Sequence, residues 1–143
     1  MTPAPDAEST ASPDSHLAMR VQMMPRDMNV QGTIFGGVIL SLIDQAGFYE
    51  ARLHGLHRWV TVSMNGVVFQ RPVWSGDIVS LYTQTTATGR SSVTIDVQVF
   101  AERFTSGDTV EVTNATLTMV SVDAEGHSIP FDSPPTTVES GSP

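Results

Sequence analysis

The sequence predicts an α+β fold, a curved antiparallel sheet wrapped around one long central helix, and three features carry that expectation. An apolar run beginning after Gly36-Gly37 lasts about four turns at ~3.6 residues per turn, and on a helical wheel Val38, Ile39, Leu42, Ile43 and Ala46 share one broad side. Downstream the texture changes to alternating, valine-rich segments of strand length. Short clusters of Gly, Ser, Thr and Asp punctuate those segments, as antiparallel neighbours require. Turn-linked strands form one sheet, and an apolar helix beside it has to be covered by that sheet.

The elements follow in order. Residues 1–16 are Pro, Ser, Ala and acid without periodicity, and are expected as a disordered tail. Leu17 to Met24 reads as a short strand stopped by Pro25. A polar, glycine-rich loop from Asn29 leads into the helix, which fades near Leu53 and closes at Gly55, a natural C-terminal cap. Trp59 to Phe69 alternates, with Gly66 marking a bulge or close approach. Arg71-Pro72 breaks that strand, and Trp74-Ser75-Gly76-Asp77 reads as a turn. Ile78 to Ala87, Val93 to Arg103 and Thr109 to Val122 are the remaining strands, separated by turns at Thr88-Gly89-Arg90 and Thr105 to Asp108. Asp123-Ala124-Glu125-Gly126 closes the last of them, and residues 132–143 read as a second disordered tail. The expected organisation is thus one domain over residues 17–131 between two tails. A sheet of this size leaves edges, and pairing them across a two-fold axis is a common solution.

Composition narrows the function. The formal net charge is -8, but five of the fifteen acids lie in the tails, leaving ten acids against seven arginines, or -3, between Leu17 and Phe131. Such a balance argues against a nucleic-acid partner. The chain has no lysine, so any phosphate it holds has to meet Arg, backbone N–H groups or hydroxyls. Without cysteine there is no disulfide framework, thiolate metal site or cysteine nucleophile. No apolar stretch reaches the ~18 residues of a membrane span, and the N-terminus lacks the basic and apolar regions of a secretory signal, so a cytoplasmic location is expected. There is no G-x-S-x-G elbow and no phosphate-cradling glycine signature. His54 and His57 stand three apart, but a histidine at a helix end more often meets the helix dipole, and no second ligand pair is evident. No metal is expected.

What remains is a site at the central helix. Gly37, Ser41, Asp44, Phe48 and Ala51 fall together on a second helix side, three of them small, with Asp44 in the middle. A carboxylate in so apolar a stretch costs several kcal/mol if it is buried alone. Either Ser41 or a neighbouring backbone group pairs with it, or it has a function. The loop ahead of the helix supplies an amide at Asn29 and tight backbone geometry at Gly32, Gly36 and Gly37. The helix start presents unpaired N–H groups to a polarised oxygen. A polarising helix start with an acid two turns inside it suits acyl chemistry. Arg90-Ser91-Ser92 is either a solvated turn or a phosphate contact built from one guanidinium and two hydroxyls.

These residues also carry a resemblance. The string Asn29-x-x-Gly32-x-x-Phe35-Gly36-Gly37, followed after six residues by Asp44-x-Ala46-Gly47, resembles the hotdog-fold acyl-CoA thioesterases. The stretches VTVSMNGVVFQRPVWSGDIV, TGRSSVTIDVQVF and VSVDAEGHSIPF are similar to the same family, over about Met19 to Phe131. Phe35 (His in the related phenylacetyl-CoA-type enzymes) and the Asp-x-Glu-Gly ending point to the YciA-like branch. The resemblance implies a hotdog fold with active sites at a dimer interface, and assembly into tetramers or hexamers. It implies that Asp44 is the catalytic acid, Asn29 the active-site amide, and the Gly36-Gly37 helix start, Gly37 above all, the group that polarises the thioester. It further implies substrate contacts at Phe35, Gly36, Ser63 and Arg71, and coenzyme A contacts at Arg90, Ser91 and Ser92. Coenzyme A is then part of substrate and product, with no separate cofactor and no membrane or nucleic-acid partner.

The chemistry agrees with that reading. Hydrolysis of a thioester passes through an oxyanion that fixed N–H donors stabilise. Asp44 would act as general base on water or as nucleophile, its pKa raised by partial burial beside Phe48 and Ile43, while Asn29 orients the water or the carbonyl. Phe48, Phe69, Met64 and Trp74 are candidates to line the acyl tunnel. Two alternatives stand beside hydrolysis. One is a non-catalytic acyl-CoA-binding or regulatory module, which the fold also permits. The other is a hydratase or dehydratase, which needs a histidine in the loop ahead of the helix, where this chain has none.

Overall fold

The computed structural model describes residues 10–137. Its elements are β1 (His16–Gln22), a 3₁₀ turn at Pro25–Asp27, α1 (Gly36–Arg52), β2 (Arg58–Asn65), β3 (Ile78–Thr88), β4 (Ser92–Glu102) and β5 (Thr109–Val122). The five strands form one sheet in the order β1-β3-β4-β5-β2, every neighbouring pair antiparallel. This is the α+β arrangement expected, with α1 laid across β3, β4 and β5. Among the described residues no helix is long and apolar enough to cross a membrane.

The period-2 pattern builds the core. Val93, Ile95, Val97 and Val99 of β4 point inward with Val79 and Leu81 of β3 and Leu117 and Met119 of β5, all buried. Ile39, Leu42, Ile43 and Ala46 of α1 meet them with their own buried stripe. Gly47 lets the helix lie close: a Cβ there would come within 2.8 Å of Leu117 Cδ2.

Three details differ from the sequence reading. First, β2 ends at Asn65 rather than Phe69, because Gly66 takes a left-handed φ of 76° and turns the chain out of the ladder. Residues 66–77 then cross the molecule, so β2 does not neighbour β3 through a tight turn. It forms the far edge, paired with β5 from Arg58↔Val122 to Asn65↔Thr116. Second, α1 stops at Arg52, and Gly55 is not a left-handed cap. Gly55 is a packing requirement instead: a Cβ would sit 2.7 Å from both His57 Cδ2 and the Phe131 carbonyl.

Third, parts of both supposed tails are pinned. Ser12 donates its N–H to Gln98 Oε1 (2.9 Å) and its hydroxyl to Gln84 Oε1 (3.1 Å), on the outer sheet face. His16 already belongs to β1. At the other end Thr136 N–H donates to the Leu56 carbonyl (2.9 Å), and the Thr136 hydroxyl meets His57 Nδ1 (2.9 Å). The rest of the two tails, residues 1–9 and 138–143, lies outside the described residues. The Gly-Asp turn is structural: buried Asp77 accepts from Arg103 Nη1 (2.6 Å) and from the Trp74 N–H (2.9 Å).

Candidate active site

The start of α1 is held by the segments on either side of it. Ile34 N–H donates to the Val73 carbonyl (2.8 Å) and Phe35 N–H to the Asp27 carbonyl (3.0 Å), which fixes where the chain enters the helix. Phe35, the N-cap residue, makes no side-chain cap bond, so the amides of Gly36 and Gly37 stand at an uncapped helix start. A cleft of about 330 Å³ opens there, lined by Gly36, Thr33, Phe69 and Arg71 among others. The Phe69 ring lies against the helix: a Cβ on Gly36 would be 3.3 Å from its Cε2. Phe35 is exposed, and Arg71 is anchored by Nη1 to the Glu111 carbonyl at 3.1 Å.

Asn29 shapes the loop in front. Its Oδ1 accepts the N–H of Gln31 (2.9 Å) and of Thr33 (3.2 Å), and its Nδ2 donates to Thr33 Oγ1 (2.9 Å). Gly32, at φ 89°, supplies the left-handed step that closes the turn. The side chain thus sets the loop's shape rather than reaching Asp44 of the same chain.

Asp44 occupies the open side of α1, exposed together with Gly37, Ser41 and Phe48, whereas Ala51 of the expected face is fully buried. Ser41 is not its partner, since the Ser41 hydroxyl donates to the Val38 carbonyl. The Thr61 hydroxyl of β2 donates to Asp44 Oδ1 at 2.5 Å, and Oδ2 has no partner among the described residues. Ile43, expected to help bury Asp44, points into the core on the opposite side. Beside Asp44 runs a groove bounded by Phe48, Tyr49, Trp59, Val60 and Met119. Of the four tunnel candidates only Phe48 belongs to it. Phe69 is at the helix start, Met64 packs on the core and Trp74 is exposed.

The remaining sequence candidates lie elsewhere. Ser63 is half-buried in β2 opposite Thr118. Arg90 is exposed in the β3–β4 turn, where its carbonyl accepts the Phe131 N–H (3.1 Å), while the Ser91 carbonyl accepts the Ser121 N–H (2.9 Å) and the Ser92 carbonyl the Gly89 N–H (2.8 Å). None of the three lines the Asp44 groove. His54 Nε2 bonds Thr85 Oγ1 (2.8 Å), and His57 engages Thr136 and the Phe131 carbonyl through its two nitrogens. Among the described residues no three His, Asp or Glu side chains gather as a metal would require.

Sequence reasoning missed a second helix carboxylate. Glu50 is 4% exposed and continues the Ile39-Ile43-Ala46 stripe at spacings of four, three and four. Its Oε1 accepts from Thr83 Oγ1 (2.9 Å) and meets His16 Nδ1 (3.1 Å), and its Oε2 accepts from Thr85 Oγ1 (2.8 Å). Burial acts to raise its pKa, but the Thr85 and Thr83 hydroxyls and the His16 ring outweigh that, and the carboxyl lies below its ordinary value.

The family model described as the thioesterase superfamily matches residues 31–107. The chain belongs to the thioesterase superfamily. As a member, it is 37% identical over 117 residues to the acyl-CoA thioester hydrolase YciA of Escherichia coli, covering 80% of this chain and 89% of that one. A hexameric hotdog-fold thioesterase of Campylobacter jejuni superposes with a TM-score of 0.80 at 40% identity, over 85% of this chain and 93% of the other. A hexameric broad-specificity acyl-coenzyme A thioesterase, solved as an aspartate-to-alanine mutant, matches with a TM-score of 0.79 at 35% identity, over 85% and 90%. The fold of this superfamily member is the hotdog fold.

Proposed function

We propose that this protein hydrolyses acyl-CoA thioesters to free acid and coenzyme A, in sites that take Asp44 from one copy and the uncapped α1 start from another. The observation that carries this is a distance. Asp44 lies eight positions beyond Gly36, about 12 Å along a helix at ~1.5 Å per residue. One tetrahedral carbon needs its oxyanion donor and its base each within about 3 Å of the atoms they serve. A single chain does not offer that; two antiparallel helices related by a two-fold axis do. The β2 edge supports such a pairing, since among the described residues no strand pairs with its outer side and it exposes Val60 and Val62. The hexameric state of the related structures fits three such dimers.

The residues then divide the work. Thr61 holds one Asp44 oxygen and leaves the other to take a proton from water as it attacks the thioester carbonyl. The Gly36-Gly37 amides receive the developing oxyanion. Collapse of the intermediate breaks the C–S bond, and the proton on Asp44 returns to the departing thiolate. Attack by Asp44 itself, giving a mixed anhydride that water cleaves, uses the same groups. Asn29 acts by shaping the loop that presents the helix start. Phe69 and Arg71 border the approach, and Arg90, Ser91 and Ser92 offer a guanidinium and hydroxyls to the coenzyme A phosphates. Acyl-CoA as substrate fits a cytoplasmic enzyme.

Thiol release from an acyl-CoA panel tests the reading. The wild type should be active, while Asp44→Asn and Gly37→Pro, which removes one helix-start N–H, should each be nearly silent. Co-refolded mixtures of the two variants should regain activity, because a mixed dimer holds one intact site. No recovery would put both groups in one chain's site and overturn the two-copy arrangement. Coenzyme A binding without thiol release would indicate a binding module.

A further inference from the structure

We infer that the groove beside Asp44 holds the acyl group and that Trp59 is its end wall, which limits efficient hydrolysis to short acyl chains. This rests on the thioesterase reading above and assigns the substrate class. The groove, about 570 Å³ in volume, is apolar except at the end where Asp44, Gln45 and Thr61 lie. Phe48 and Tyr49 line it from α1, Trp59, Val60 and Thr61 from β2, and Met119 from β5. Phe48 and Tyr49 stand with ring centroids 6.0 Å apart. A carboxylate at the mouth and hydrocarbon beyond it match a thioester whose carbonyl is attacked outside while its alkyl chain lies inside.

Two elements give the length of the groove. Thr61 bonds Asp44, and Trp59 is two residues back on the same face of β2, so the indole lies roughly 7 Å along at ~3.3 Å per strand residue. On the helix side Asp44 to Phe48 spans about 6 Å. An extended chain of about five carbons fills that distance at ~1.5 Å per bond.

The wall does not yield. Trp59 is 8% exposed, and its indole N–H donates to the Gly55 carbonyl at 3.0 Å. Its ring packs on His57 (6.1 Å between centroids) and Phe131 (6.2 Å). His57 is itself buried and tied by Nε2 to the Phe131 carbonyl (2.8 Å) and by Nδ1 to Thr136. The segment from Phe131 to Thr136 therefore braces the indole from behind. Swinging it aside would break a part-buried hydrogen bond and two aromatic contacts.

The test measures kcat/KM by thiol release from acetyl-, butyryl-, hexanoyl-, decanoyl- and palmitoyl-CoA for wild type, Trp59→Leu and Phe48→Ala. Wild type should fall by about tenfold or more between hexanoyl- and decanoyl-CoA, the scale on which a closed apolar pocket discriminates. In Trp59→Leu the decanoyl-to-butyryl ratio should rise about tenfold. Phe48 is partly exposed, so Phe48→Ala widens the groove without opening the core and should raise the same ratio even if Trp59→Leu does not fold. A wild-type profile flat through palmitoyl-CoA, or unchanged ratios in the folded variants, would overturn the end wall while leaving the thioesterase standing. Silence of the wild type on every substrate would instead overturn the thioesterase reading.

Discussion

Asp44 and Glu50 lie six residues apart on α1, and their surroundings differ in every respect that bears on function. Glu50 is buried, with three side chains around its two oxygens, and ties the helix to β3 and β1. Asp44 is exposed on the open side, with one donor and one unpaired oxygen among the described residues and an apolar groove beside it. The contrast teaches that burial alone does not mark a catalytic acid. A carboxylate with both oxygens engaged by side chains holds structure, and one left partly free beside a groove is available to a substrate.

The largest expected effect comes from removing the free acid. Asp44→Asn should lower kcat by about 10² to 10⁴-fold, the usual contribution of a positioned base, with no loss of thermal midpoint. Truncating the other acid should do the reverse. Glu50→Ala leaves the Thr83 and Thr85 hydroxyls without their acceptor and should cost about 2–3 kcal/mol in a denaturant titration, with activity per folded molecule retained. Gly47→Ala tests how closely the helix carrying both acids lies on the sheet. Its Cβ would meet Leu117 Cδ2 at 2.8 Å, and the overpacking should cost about 1–2 kcal/mol in the same titration.

The smallest effect is in pH. The Glu50 carboxyl is lowered in the folded state, so its charge stabilises the fold above the unfolded value near 4.5 and that contribution is lost as pH falls through the folded value. The stability advantage of wild type over Glu50→Gln should therefore hold at neutral pH and shrink below about 4.5. An advantage that grows on acidification would contradict the assignment.

Much of this comparison was legible in the residues, for definite reasons. Periodicity exposed α1, β3, β4 and β5 because their patterns are local, and the bounds of β5, Thr109–Val122, coincide with the alternating run. The edge position of β2 was not legible, since pairing Arg58 with Val122 is a choice made across the chain. Asp44 stood out as an acid among apolar neighbours, yet its partner Thr61 comes from another element and left no local mark. Glu50 did leave one: it falls where the Ile39-Ile43-Ala46 stripe calls for an apolar residue, and a polar residue there signals a buried network. Asn29 with Gly32 carries the signature of a side-chain-closed turn, so its role in shaping the loop was readable in the residues.

The division between the two acids is tested most directly by thiol release from butyryl-CoA per folded molecule, measured side by side for wild type, Asp44→Asn and Glu50→Gln. The account predicts near-complete loss in Asp44→Asn and wild-type turnover in Glu50→Gln. Turnover that survives in Asp44→Asn and vanishes in folded Glu50→Gln would contradict it.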